Sequence, residues 1–250
     1  MARLPRIDVP GVPQHLIVRG NNRATLFRDD ADHCIFLQFL KEALDSCACE
    51  LHAYVLMSNH VHLLTTGHLP GEVSELMQRV GRKFARLMNI RWSRTGTLFE
   101  GRFHSSLVDS EAYLLTCMRY IELNPVRAGI VRHPKEYGWS SYRQDASGDP
   151  GALLRPHELY LRLGSTPGER ASAYRALVES GVSEEDLCRI RTSAAKCRAL
   201  GSDTFCEEMA RRLDRPVVPR EQGRPKKGTG SKTNLTPFPE PVEELAVPET

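Results

Sequence analysis

The sequence predicts an α+β fold: a ferredoxin-like antiparallel sheet with helices on one face, followed by a small C-terminal helical appendage. Three observations carry this reading. Runs of β-branched and aliphatic residues alternate with stretches of helical periodicity in the order β-α-β-β-α-β, with one further helix behind them. Two of the strands are separated only by Ser58-Asn59, as neighbouring antiparallel strands are. After Arg143 the texture changes to a small-residue, polar linker and then to short helical patterns.

Taken in order, His15–Arg19 (HLIVR) is the first strand, closed by the turn-forming Gly20-Asn21-Asn22. Asp29 or Asp30 can cap a helix running to about Cys47, with Cys34, Phe36, Leu37, Leu40 and Leu44 on one face. His52–Met57 and His60–Thr66 are the second and third strands. A helix follows from about Glu72 to Ile90, with Val73, Leu76, Val80, Phe84 and Leu87 at helical spacing. Arg102–Val108 is the fourth strand, and Glu111–Leu123 a helix ended by Asn124-Pro125. Beyond the linker 144–151, helical patterns cover Pro156–Leu163, Gly168–Ser180, Ser183–Ala195 and Thr204–Leu213. The chain thus divides into a principal domain at 1–145, the appendage at 152–215, and a tail at 216–250 with the Pro, Gly, Lys and Glu content of a disordered segment.

With 40% hydrophobic residues the chain can build a core. No run of about 18 apolar residues occurs, so no membrane span is expected. The N-terminus has charges but no apolar run behind them, so no secretion signal is expected and the protein should be cytoplasmic, near the nucleoid. The seven cysteines include no CxxC pair and read as free thiols. Net charge is only +3, but it is unevenly distributed: Arg79–Arg132 carries ten basic residues against four acidic, and Arg211–Lys232 eight against two. Two basic blocks point to a polyanionic partner, although solvated helix faces give the same pattern.

Two segments carry chemistry. In Met57-Ser-Asn-His-Val-His-Leu-Leu64, residues i and i+2 of a strand face one side, so His60 and His62 project together while Val61 points to the core. Side-by-side imidazoles supply half of a divalent-metal site, though paired strand histidines are often structural. In the helix that begins at Tyr113, Leu114, Cys117, Met118 and Ile121 form the apolar face. Tyr120 lies one residue off it, and Asn124 sits four residues later on the side of Tyr120. A tyrosine at the edge of the core and an asparagine ending a helix would look the same.

Together these segments resemble the single-tyrosine HUH transposases (insertion-sequence-200-like), and more closely the REP-associated tyrosine transposases of bacteria. The likeness runs from about Pro13 to Tyr142 and rests on HLIVRGNNR, LMSNHVHLL, GTLFEGRFHSSLV and YLLTCMRYIELNPVRAGIV. It implies a transposase with Tyr120 as nucleophile and His60, His62 and Asn124 as metal ligands. Where Asn124 stands, the wider family more often has glutamine, one methylene longer. A mixed nitrogen and oxygen set with open positions suits Mg²⁺ or Mn²⁺. The product would be a 5′-phosphotyrosine and a free 3′-hydroxyl, needing no ATP; no GxxxxGK[ST] loop occurs.

The resemblance also implies binding to single-stranded DNA or DNA hairpins, repetitive extragenic palindromes among them. Arg79, Arg82, Lys83 and Arg86 on the basic helix, with Arg19, Arg23, Arg102 and Arg127, are the expected phosphate contacts. The appendage favours a monomer over a dimer that exchanges its tyrosine helices. The basic stretch from Arg211 into the tail could add DNA contacts or simply solubilise. Two rival readings stay open: a metal-dependent phosphodiesterase using water, and a non-catalytic nucleic-acid-binding protein on a ferredoxin-like sheet.

Overall fold

The computed structural model describes residues 6–218. Four strands, β1 (Pro13–Arg19), β2 (Cys49–Met57), β3 (His60–Gly67) and β4 (His104–Leu107), form one antiparallel sheet in the order β2-β3-β1-β4. Placing β1 between β3 and β4 is what the β-α-β-β-α-β order of a ferredoxin-like fold produces. The register runs from Pro13 opposite Thr66 to Arg19 opposite His60.

Helices α1 (Asp30–Leu44) and α2 (Glu72–Arg91) pack on one face of the sheet, as expected. Asp29 caps α1 by accepting from the Asp32 backbone N–H at 2.9 Å. Phe36, Leu40, Val80 and Phe84 from the helices meet Leu16, Val18, Leu56, Val61 and Leu63 from the strands in one buried cluster. Cys34 does not join the apolar face of α1 as expected; it is exposed. The buried side of α1 is instead Asp32, His33, Phe36, Leu40 and Ala43, with His33 stacked between Phe27 and Trp139.

The second face of the sheet is covered too, which the order of elements did not reveal. Helix α3 (Ser110–Glu122) lays Leu114, Cys117, Met118, Tyr120 and Ile121 against Ala53, Val55, Met57 and Leu64. Tyr120 therefore lies within the buried cluster, 6% exposed, rather than beside it. The chain does not leave the helical state at Asn124-Pro125. A break at Leu123 is followed by a short helix α4 (Asn124–Arg127), with proline in the first turn, where its missing N–H costs nothing.

Two short helices, α5 (Tyr142–Asp145) and α6 (Glu158–Leu161), lead into α7 (Pro167–Glu179), α8 (Glu184–Lys196) and α9 (Asp203–Leu213). Tyr174 and Val178 of α7 and Leu187 and Ile190 of α8 share the buried cluster of α3, so this region shields the outer side of the tyrosine helix. The tail from 219 onward, with the second half of its basic stretch, lies outside the described residues.

A pair of buried carboxyls ties α3 to this helical region. Glu122, fully buried, accepts from Ser141 Oγ at 2.5 Å and Tyr174 Oη at 2.7 Å, and shares a hydrogen bond with the side chain of Asp145. Burial, reinforced by Glu122, raises the Asp145 carboxyl well above its ordinary range; burial raises Glu122 too, but Ser141 and Tyr174 both donate to it and oppose the rise. The shared proton therefore sits on Asp145. The folded state holds a proton that the unfolded chain releases. The stabilisation is complete below the ordinary carboxyl range and is lost as pH rises through the raised folded-state value. In Asp145→Asn the amide can donate to Glu122 without titrating. Thermal unfolding between pH 5 and 8 should show a falling Tm for the parent protein and a flatter, higher curve for the variant. Parallel curves would refute the assignment.

Candidate active site

The site forms where β3, β1 and α3 meet. Because Arg19 pairs with His60 and Ile17 with His62, the outward set of β1 (His15, Ile17, Arg19) shares a face with His60 and His62, while Val61 and Leu63 turn to the opposite core. The His60 and His62 rings lie 5.0 Å apart. His15 stacks on His62 with centroids 5.1 Å apart, and its Nε2 is 2.8 Å from His62 Nδ1. Tyr120 comes down from α3 to meet both rings edge-on, at 5.8 Å from His15 and 5.9 Å from His62. The break after α3 brings Asn124 to His60, with which its side chain is hydrogen-bonded.

Two arginines frame Tyr120. The Arg127 guanidinium lies 4.3 Å over its ring, and Nη2 donates to the Tyr120 carbonyl at 2.8 Å. Arg191 of α8 hydrogen-bonds the Tyr120 side chain. Burial raises the phenol pKa, and Arg127 and then Arg191 oppose the rise. Burial first, then the Arg19 charge, lowers His60 to about 4. His62 falls well below the usual range through burial and then the neighbouring His60 and His15, and burial takes His15 to about 3. All three imidazoles are neutral at pH 7 and keep a lone pair for ligation.

The donor chemistry fits a divalent ion. His60 and His62 each have Nδ1 engaged by a protein partner, so Nε2 is the nitrogen each would offer a metal, the usual arrangement for metal-bound histidine. Among the described residues no group of three His, Cys, Asp or Glu side chains could hold a metal. A three-ligand set here therefore depends on the Asn124 amide oxygen.

Of the basic residues expected to contact DNA, Arg19 and Arg127 lie at this site, acting on the histidine and tyrosine charges. Arg23 is exposed in the turn after β1. Arg79, paired with Glu75, and Lys83, paired with Glu42, lie with exposed Arg82 and Arg86 on α2, on the opposite face of the sheet from His60 and His62. Arg102 borders a cavity there, with Val18, Phe36, Val80 and Phe103. The structure thus separates these five from the tyrosine. Three site residues were missed in the sequence. His15 was readable only once β1 was known to pair with β3, Asn59 read as a turn residue, and Arg191 has no local signal.

Residues 8–124 match the family described as Transposase IS200 like. No curated protein matches the chain. Among solved structures, a REP-associated tyrosine transposase bound to a REP hairpin is similar, with TM-score 0.51 and 18% identity over 58% of this chain and 85% of that one. A protein of Deinococcus radiodurans R1 carrying a provisional transposase name matches with TM-score 0.33 and 24% identity, over 48% of this chain and 96% of that one. The first likeness is one of fold. No helix among the described residues is long and apolar enough to cross a membrane.

Proposed function

Because residues 8–124 match the IS200-like transposase family, we propose that the chain cuts and rejoins single-stranded or hairpin DNA through a covalent bond to Tyr120. The observation that carries this reading is the position of Tyr120. Its ring is held between a pair of neutral histidines and two arginines, at the edge of a site with a histidine–histidine–asparagine donor set.

In this mechanism Arg127 and Arg191 favour the phenolate, whose oxygen attacks the scissile phosphorus after the phenol proton leaves to solvent. The P–O3′ bond breaks, the departing 3′-oxygen takes up a proton, and a 5′-phosphotyrosine remains. Rejoining reverses the step and conserves the bond energy. His60, His62 and Asn124 would hold Mg²⁺ or Mn²⁺, which when bound supplies Lewis-acid stabilisation of the charge on the phosphate oxygens. Arg19 and Arg127, which border the histidines and Tyr120, would take the scissile phosphate. Arg79, Arg82, Lys83, Arg86 and Arg102 could reach DNA only around the other side of the protein, and Arg23 only from the turn. Shielding of α3 by α7 and α8 of the same chain supports a monomer. The expected setting is the cytoplasm, on the nucleoid.

The test is incubation with a library of 5′- and 3′-end-labelled DNA hairpins, a repetitive extragenic palindrome included, with Mn²⁺. A denaturation-resistant adduct carrying the label 3′ to the cut is expected. Cleavage with two free ends and no adduct would favour a water-using phosphodiesterase instead. Removing the guanidinium in Arg191→Ala should move the alkaline rise of the cleavage rate to higher pH and lower the rate at pH 7.5 by about tenfold. An unchanged profile would leave Arg191 without a part in phenol ionisation.

A further inference from the structure

We propose that His15 and Asn59 are positioning residues that hold His62 and His60 in the same tautomer, each with its proton on Nδ1 and its Nε2 lone pair presented to the metal. The inference rests on the metal reading above and deepens it by naming what prepares the two ligands.

For His60 the bond to Asn59 assigns the tautomer, with the Asn124 side chain hydrogen-bonded to the same ring. Its Nδ1 lies 2.7 Å from Asn59 Oδ1, and an amide oxygen only accepts, so Nδ1 must carry the proton. The amide is oriented by its other end, because Asn59 Nδ2 donates to the Arg23 carbonyl at 3.4 Å, leaving Oδ1 toward the ring. The Asn59 backbone is fixed as well: Gly20 N donates to its carbonyl at 2.9 Å. The turn that brings Arg23 there closes only around glycine, since a Cβ on residue 20 would come within 2.0 Å of the Ala24 carbonyl oxygen.

For His62 the partner is another imidazole, His15, whose Nε2 lies 2.8 Å from His62 Nδ1, with both rings buried. Either ring could donate, and either choice leaves the buried His15 Nδ1 without a partner, so that atom does not decide. The requirement at the far nitrogen does. If His15 donated, the His62 proton would sit on Nε2 and occupy the lone pair that ligation needs. If His62 donates, its Nε2 keeps the lone pair, as His60 Nε2 does with its Nδ1 proton on Asn59 and the Asn124 side chain at the same ring. The near-parallel stacking of the rings, 15° between planes, restrains both. Two different devices, a turn amide and a buried imidazole, then produce one matched pair of ligands, prepared before any ion arrives.

The experiment reads tautomers and metal affinity without cleavage. In the metal-free full-length protein, ¹⁵N-labelled histidine should show His60 and His62 with protonated Nδ1 and bare Nε2. Mn²⁺ titration followed by electron paramagnetic resonance should then give a Kd about 10–100-fold weaker for His15→Phe and for Asn59→Ala. His15→Gln, whose amide oxygen can accept near the position of Nε2, should recover most of the affinity at a similar Tm, which a purely space-filling role for residue 15 would not produce. A His62 proton on Nε2 in the parent protein, or parental Mn²⁺ affinity in His15→Phe, would overturn the inference while leaving the metal reading intact. A parent protein that binds Mn²⁺ no more tightly than His60→Ala would overturn the metal reading, and this inference with it.

Discussion

Tyr120→Phe should abolish the covalent DNA adduct while leaving hairpin affinity within about twofold. The ring keeps its place in the buried cluster and under the Arg127 guanidinium, so the change removes one hydroxyl from an otherwise preserved site. The hydroxyl is hydrogen-bonded to Arg191, so its loss leaves that guanidinium to water and should cost about 1 kcal/mol of stability at most, readable as a small fall in Tm. No other tyrosine can substitute from this helix. Tyr113 lies seven residues earlier, and its hydroxyl accepts from Arg189 at 2.7 Å, whereas it is the Tyr120 ring that meets His15 and His62. An adduct of undiminished yield with the Phe variant would remove Tyr120 as nucleophile. Weakened hairpin binding with unchanged cleavage would make it a DNA contact.

How much of this was legible beforehand follows from the range of each signal. The strands, α1, α2 and α3 announce themselves through local periodicity and turn residues, and the observed bounds differ from the expected ones by a few residues. His60 and His62 were readable because a strand alternates by two residues, a property of the backbone alone. The burial of Tyr120 was not. It depends on α3 lying against the second face of the sheet and on α7 and α8 covering α3 in turn, and nothing within a dozen residues of Tyr120 encodes that cover. The same holds for Arg191, which comes to the phenol from 71 positions away. Helical spacing alone, with α3 extended through it, puts Asn124 on the side of Tyr120. The structure breaks the helix at Leu123, and it is that break which sets Asn124 beside His60. The basic face of α2 misleads for a related reason. Charge along a helix is visible in sequence, but the side of the sheet it occupies is a matter of packing.

His60→Ala and His62→Ala should each lower cleavage in Mg²⁺ or Mn²⁺ by at least about 10²-fold, and chelation of the parent protein should do the same. The two variants are not equivalent. His60 is only partly buried and stands at the start of β3, so its truncation removes a proposed ligand with little loss of packing. His62 is 3% exposed, stacked on His15 and edge-on to Tyr120. Truncating it opens a cavity and strands His15 Nε2, so a stability loss of about 2–3 kcal/mol should accompany the loss of activity. His60→Ala is therefore the decisive variant, with its Tm near the parent's and its chemistry gone. Salt-dependent hairpin binding should persist in both, because counterion release belongs to lysine and arginine rather than to these neutral rings. Cleavage undiminished in EDTA, or adduct formation at the parental rate by His60→Ala, would mean that the histidine pair holds no catalytic metal. The chemistry would then have to rest on the arginines around Tyr120 alone.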